Sequence, residues 1–145
     1  MFGKSPFGEV NSGPQINEDA KVVFVSDMFV DEYVGGAELT SQALIDSCPF
    51  EVQKLKSDQV TMELLEKLQD KHWIFGNFSN MNLELLPSIV ANMNYSVLEY
   101  DYKYCKWRSP QKHETVEKTP CNCKEEMHGK IVSTFYYGAK SLWWM

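Results

Sequence analysis

Long apolar runs are missing from this chain, and none approaches the roughly 20 residues that a bilayer-spanning helix needs. The first 20 residues, MFGKSPFGEVNSGPQINEDA, hold no continuous apolar core and so do not read as a secretory signal. Rich in Gly, Pro, Ser and Asn, they read as a flexible extension, 1–20, ahead of one domain, 21–145, in a protein expected in the cytoplasm. Cations are scarce as well. Lys and Arg total 14 against 20 for Asp and Glu, a net charge of -6, which argues against nucleic acid or any partner gripped chiefly through its phosphate backbone. A single phosphate held by backbone amides stays open. Cysteines number four (Cys48, Cys105, Cys121 and Cys123), and in the cytoplasm these are free thiols or metal ligands in preference to disulfides. No internal repeat is visible, and 145 residues suffice for one ordinary domain with a core.

What is present is an alternation of strand and helix patterns. The run KVVFVSD (21–27) is apolar without alternation, as expected of a strand covered on both faces. A helix follows the glycines of YVGGAELT (33–40), with Ala37, Leu44 and Cys48 on one face, and ends at Pro49. The alternating FEVQKL (50–55) reads as a strand nearer a sheet edge. Asp58 is placed to cap a helix carrying Val60, Leu64, Leu65 and Leu68. HWIFGNF (72–78) is the next strand, then a helical stripe of Leu86, Ile89, Val90 and Met93 that Pro87 kinks or restarts, then the strand YSVLEYDY (95–102). This order predicts an α/β fold: a doubly wound, Rossmann-like, mostly parallel sheet flanked by helices, with ligand-binding loops along the carboxyl edge. From Lys103 to Glu126 the pattern stops, and IVSTFYYGAKSLWW (131–144) reads as one helix apolar over a wide arc. Two tryptophans so near Met145 raise the expectation of a domain incomplete at its C-terminus or packed on another body.

The glycine pair, Gly35–Gly36, sits between a buried strand and a helix, where the first helical N–H groups face the carboxyl edge and a ligand can approach the backbone closely. A dinucleotide fingerprint does not fit, because the glycine pair begins eight positions beyond Asp27 and the third glycine is absent, although Asp58 falls near the ribose-binding position. VVFVSDMFVDEYVGGAELTSQALI resembles the first strand, glycine loop and first helix of retaining GT-B glycosyltransferases of the family-4 kind, and EYDYKYCKW followed by PCNC is similar to a later segment of that family. The resemblance implies the N-terminal, acceptor-side half of a GT-B architecture, acting with a nucleotide-sugar donor and a sugar or glycan acceptor. The family's strand-end histidine is Tyr100 here, and nothing in the chain supplies the second, donor-binding domain. The isolated chain is therefore expected to be inactive or nearly so.

On that resemblance Gly35 and Gly36 touch donor diphosphate or acceptor through their amides, with no obligatory cofactor and no assigned catalytic base. Glu38 is either a substrate contact or a first-turn acid that fixes the loop. Asn77 and Ser79 are either sugar-hydroxyl ligands or turn formers, and Asp101 is the strand-end acceptor contact. Separately, Cys105, Cys121, Cys123 and His128 run C-x15-C-x-C-x4-H, a candidate tetrahedral set for structural zinc. His72 and His113 suggest no role. Two rival functions stand beside the transferase: a non-catalytic α/β interaction module that uses the Trp143–Trp144 surface, and a nucleotide- or dinucleotide-binding Rossmann-like domain.

Overall fold

A computed structural model describes residues 13–145. Its centre is a five-stranded, all-parallel sheet in the order β2-β1-β3-β4-β5, formed by Val22–Ser26 (β1), Val52–Lys56 (β2), His72–Phe75 (β3), Asn94–Glu99 (β4) and Ser141–Trp144 (β5). The apolar run of β1 is buried at every position, as its neighbours on both sides require, and half-exposed β2 forms one edge. The helices are Gly36–Ser47 (α1), Met62–Lys67 (α2), Leu86–Asn92 (α3), Pro110–Glu117 (α4) and Met127–Gly138 (α5).

The two faces of the sheet are unequal. One face carries Val23, Val25, Trp73, Phe75, Tyr95 and Val97 and packs against Leu65 and Leu68, Leu86 and Ile89, and Val132 and Phe135 of three successive crossovers. Phe135 lies at its centre, stacked on Tyr95 at 4.9 Å and edge-on to Phe75 at 5.4 Å. Among the described residues the opposite face holds a small cluster of Phe24, Phe29 and Leu98, with Ile45 of α1 and Ile74 against it. Handedness explains the imbalance. Right-handed crossovers running β2 to β3 to β4 to β5 put their helices on one side, and only the reverse step from β1 to β2 puts a helix on the other.

Several local expectations change. Asp58 caps no α-helix. Ser57–Gln59 is a single 3-10 turn, and Thr61 caps α2 by accepting the Leu64 N–H on its hydroxyl. Of the two outcomes expected at Pro87 the restart is the one found, since a 3-10 turn at Leu83–Leu85 leads into α3 with the proline in its first turn, where its missing N–H costs nothing. The supposedly patternless stretch contains α4, begun by Ser109 accepting the Lys112 N–H. The single helix expected over 131–144 is two elements. Helix α5 ends at Gly138, where a Cβ would lie 2.7 Å from the Tyr95 hydroxyl, and β5 then pairs with β4. The expected 1–20 extension falls partly outside the described residues. Within it, Ala20 is buried, Ile16 packs on the core, and Asn17 bonds the side chains of Glu51 and Gln53, so this part is docked on the domain. No helix among the described residues is long and apolar enough to cross a membrane.

Candidate functional site

The order β2-β1-β3 makes the carboxyl ends of β1 and β3 the point where successive crossovers leave on opposite faces, the usual crevice of an open α/β sheet. Asp27, just beyond β1, ties that edge together. It accepts bonds from the Ser57 hydroxyl, the Asn80 N–H at 3.2 Å, and both the N–H (3.0 Å) and hydroxyl of Ser79. Burial pushes the Asp27 carboxyl up, but these donors outweigh it, and the net pKa falls below the ordinary value. A carboxyl with a lowered folded-state pKa adds stability above its unfolded pKa of about 3.9 and loses it as pH falls through the folded value. Asp27→Asn is therefore expected to cost about 1.5–3 kcal/mol at pH 7. The deficit should shrink below about pH 4, as read from urea midpoints at the two pH values. An equal deficit at both would mean that the charge contributes nothing.

Ser79, expected as a sugar ligand or turn former, thus spends its hydroxyl on Asp27. Asn77 differs, because its amide oxygen is buried with no hydrogen-bond partner among the described residues. It follows Gly76, which donates to the Val25 carbonyl at 2.9 Å and leaves only 3.3 Å between that oxygen and any added Cβ. Across the crevice Gly35 is the N-cap of α1 with extended backbone, and no glycine among the described residues has a positive φ. Crowding, not torsion, singles out Gly35, and it does not extend to Gly36. A Cβ on Gly35 would meet a Glu38 carboxylate oxygen at 2.6 Å and the Tyr33 ring at 2.8 Å, whereas one on Gly36 would meet nothing within 4 Å. The helix mouth therefore has Glu38 and Tyr33 folded over Gly35 and an open backbone at Gly36. Tyr100, bonded to Ser41 at 2.9 Å, lines the same crevice against Gly76.

Asp101 lies in the next loop and is engaged internally. Arg108 Nη1 donates to both its oxygens at 2.9 and 3.0 Å, and Lys103 Nζ lies 3.2 Å away. Lys103 is itself buried and also reaches Glu99 at 3.3 Å. Burial pushes the Glu99 carboxyl up, against the pull of Lys103, and its second oxygen has no partner among the described residues.

Beyond this edge the chain gathers Cys105, His113, Cys121 and Cys123, whose ligand atoms all lie within 4.8 Å of one another and could hold a metal ion. Cys105 and Cys123 sulfurs are 4.0 Å apart, and His113 Nδ1 lies 3.7 Å from the first and 3.4 Å from the second. The turn after Cys105 directs the Trp107 N–H at its sulfur, 3.4 Å away. Burial raises the Cys105 thiol, but that bond and its neighbours outweigh burial, and the net shift is downward toward the thiolate a metal requires. Arg108, next in the turn, takes a left-handed φ of 62°, rare for a residue with a side chain. Helix α4 presents His113, and the start of α5 closes on the Cys123 turn through the Gly129 N–H to Cys123 carbonyl bond of 3.1 Å.

One expected ligand is replaced. His128 is outside the tetrad, with Nε2 bonded to the Lys103 carbonyl at 3.0 Å, and His113 is the fourth group instead. The signal for it was Ser109-Pro110, a helix start that brings a histidine one turn later back toward Cys105. No protein-family model, curated protein or solved structure matches the chain.

Proposed function

We propose that this chain is the acceptor-side lobe of a two-lobed, retaining sugar transferase, working with a nucleotide-sugar donor, and that its Cys3His group holds structural zinc. The transferase reading is supported above all by the unobstructed backbone at Gly36, at the mouth of α1 and on the carboxyl edge beside β3. The orphaned Asn77 oxygen across the crevice adds a polar group in want of a partner. Glu38 over Gly35 disfavours an anion there and suits a hydroxyl, so the acceptor is the part of the reaction this crevice serves.

Zinc is supported by the distances among Cys105, Cys123 and His113, with Cys121 within 4.8 Å of each. Tetrahedral bonds of about 2.3 Å to sulfur and about 2.0 Å to nitrogen set separations of about 3.8 Å between sulfurs and about 3.5 Å between sulfur and nitrogen. The observed 4.0, 3.7 and 3.4 Å need only small adjustments. Four protein ligands complete the coordination shell, so the ion's role is to fold the segment and not to activate water.

Titrating the 15N-labelled chain with neutral methyl glycosides tests the transferase reading. Saturable amide shifts are expected at Gly35, Gly36, Ala37 and Asn77. Shifts absent there, with a molecular size that grows with protein concentration, would favour the second reading, a protein-interaction module. That reading draws on edge strand β5, where Trp143 is exposed beside the thinly covered face and Trp144 is exposed on the other side, against Tyr136.

A further inference from the structure

Between the loop after β3 and the loop after β4 lies a cavity of about 90 Å³, distinct from the crevice at Gly36. Phe78, Ser79, Lys103, Lys106, Arg108 and His128 line it. Three of these side chains are cationic in a protein short of cations overall. Lys103 and Arg108 both lie against the Phe78 ring, with Lys103 Nζ 5.6 Å and the Arg108 guanidinium carbon 5.7 Å from its centroid. Arg108 uses one nitrogen, Nη1, for both bonds to Asp101, and its remaining side-chain donors have no partner among the described residues.

The backbone at Arg108 adds an independent observation. A left-handed φ costs an ordinary residue about 1–2 kcal/mol. Here it falls between Cys105, whose carbonyl accepts the Arg108 N–H at 2.8 Å, and Ser109, the cap of the helix bearing His113. The same turn that folds the tetrad thereby carries the guanidinium to the carboxyl edge. Strain at a residue that needs a side chain points to a role for that side chain.

We propose that this cavity binds a phosphate-class oxyanion, with Arg108 as its principal ligand and Lys106 beside it. Naming the anion as a phosphoryl group of the nucleotide-sugar donor rests on the transferase reading; the anion site itself does not. The carboxylates nearby define the competition. Asp101 holds Arg108 and Lys103, Glu117 holds Lys106 at 2.9 Å, and Glu99 holds Lys103. Asp101 is half-exposed, so an incoming oxyanion displaces it from Arg108 without leaving a carboxylate buried and unpaired.

The test follows the Arg108 Nε–Hε resonance of the zinc-loaded full chain during titration with inorganic phosphate and, separately, with uridine diphosphate, at about 0.15 M sodium chloride. A saturable shift is expected with both, tighter with the diphosphate if the donor supplies the anion. Arg108→Gln should weaken binding about tenfold or more with zinc content unchanged, since a charge-assisted bond is lost. Asp101→Asn should tighten it severalfold by removing the competitor. No saturable shift at Arg108 in the unaltered chain, or unchanged affinity in a zinc-retaining Arg108→Gln protein, overturns the site. If the glutamine variant fails to fold, the resonance in the unaltered chain decides alone. Failure here leaves the methyl glycoside shifts at Gly36 untouched, so the two proposals fall separately.

Discussion

Replacing His113 by glutamine is expected to strip zinc from the chain, and replacing His128 is not. Metal analysis of protein purified without added zinc should find about one ion per chain in the unaltered protein and in His128→Gln, and nearly none in His113→Gln or Cys123→Ser. The magnitude follows from the environment. Cys105, Cys123 and His113 are buried, so losing the ion leaves sulfur and imidazole without a partner, besides removing coordination that is itself folding energy. Structural zinc supplies about 10–16 kcal/mol of binding in peptides that fold around it, ample to decide whether the segment from Lys103 to His128 is ordered. Hydrogen exchange should report this as lost protection in α4 while β1 and β3 keep theirs. The absence of stoichiometric metal from the unaltered protein ends the zinc proposal.

Gly129→Ala is expected to destabilise the same segment without replacing a ligand. Its Cβ would fall 2.1 Å from the Cys123 carbonyl oxygen and 2.5 Å from the Lys124 Cα, both backbone atoms that no rotamer change can move. Overpacking in a core costs about 1–3 kcal/mol, and a clash with main chain belongs at or above the top of that range. For a domain of this size that is a fall of roughly 6–12 °C in Tm, with weakened zinc retention as the turn is pushed off α5. Gly36→Ala is the control, since its Cβ meets nothing and alanine suits a helix better than glycine, by less at this first helical position than the roughly 1 kcal/mol of a helix interior. Thermal melts of the two variants should move in opposite directions. A Gly129→Ala protein as stable as its parent would mean that α5 does not rest on the Cys123 turn.

Much of this architecture can be read from residue order, and what cannot has physical causes. The unbroken apolar run of β1 announces a strand with neighbours on both sides, and the alternation in β2 announces an edge. Strand β5 carries no such mark. Its four residues begin two residues after a helix, Trp143 continues the helical spacing of Phe135 and Ala139, and what makes it a strand is pairing with β4, a contact remote in sequence. The three thiols of the tetrad stand out because cysteine is scarce, but His113 does not. Helix α4 is polar nearly throughout, held by its cap and by the group it serves, so no apolar period betrays it. His128, nearer in sequence to Cys123, is the better ligand by spacing, but the fold turns its ring back to the Lys103 carbonyl. At the crevice the glycines were visible, whereas the folding of Tyr33 and Glu38 over Gly35 depends on side-chain directions that spacing does not encode.

The route from Glu99 to Ser141 is the longest connection between strands consecutive in the chain, and the tetrad lies inside it. An ion that pins Cys105 to Cys123 pinches off the first part of that detour and leaves α5 as the tether for the last strand. Loop closure grows costlier by about 0.6 kcal/mol with each doubling of length, so the unpinned chain docks β5 from a worse starting point. Loss of the ion would then be felt at a distance, as fraying of the Trp143–Trp144 rim, while the opposite rim at β2 closes its own short crossover unaided.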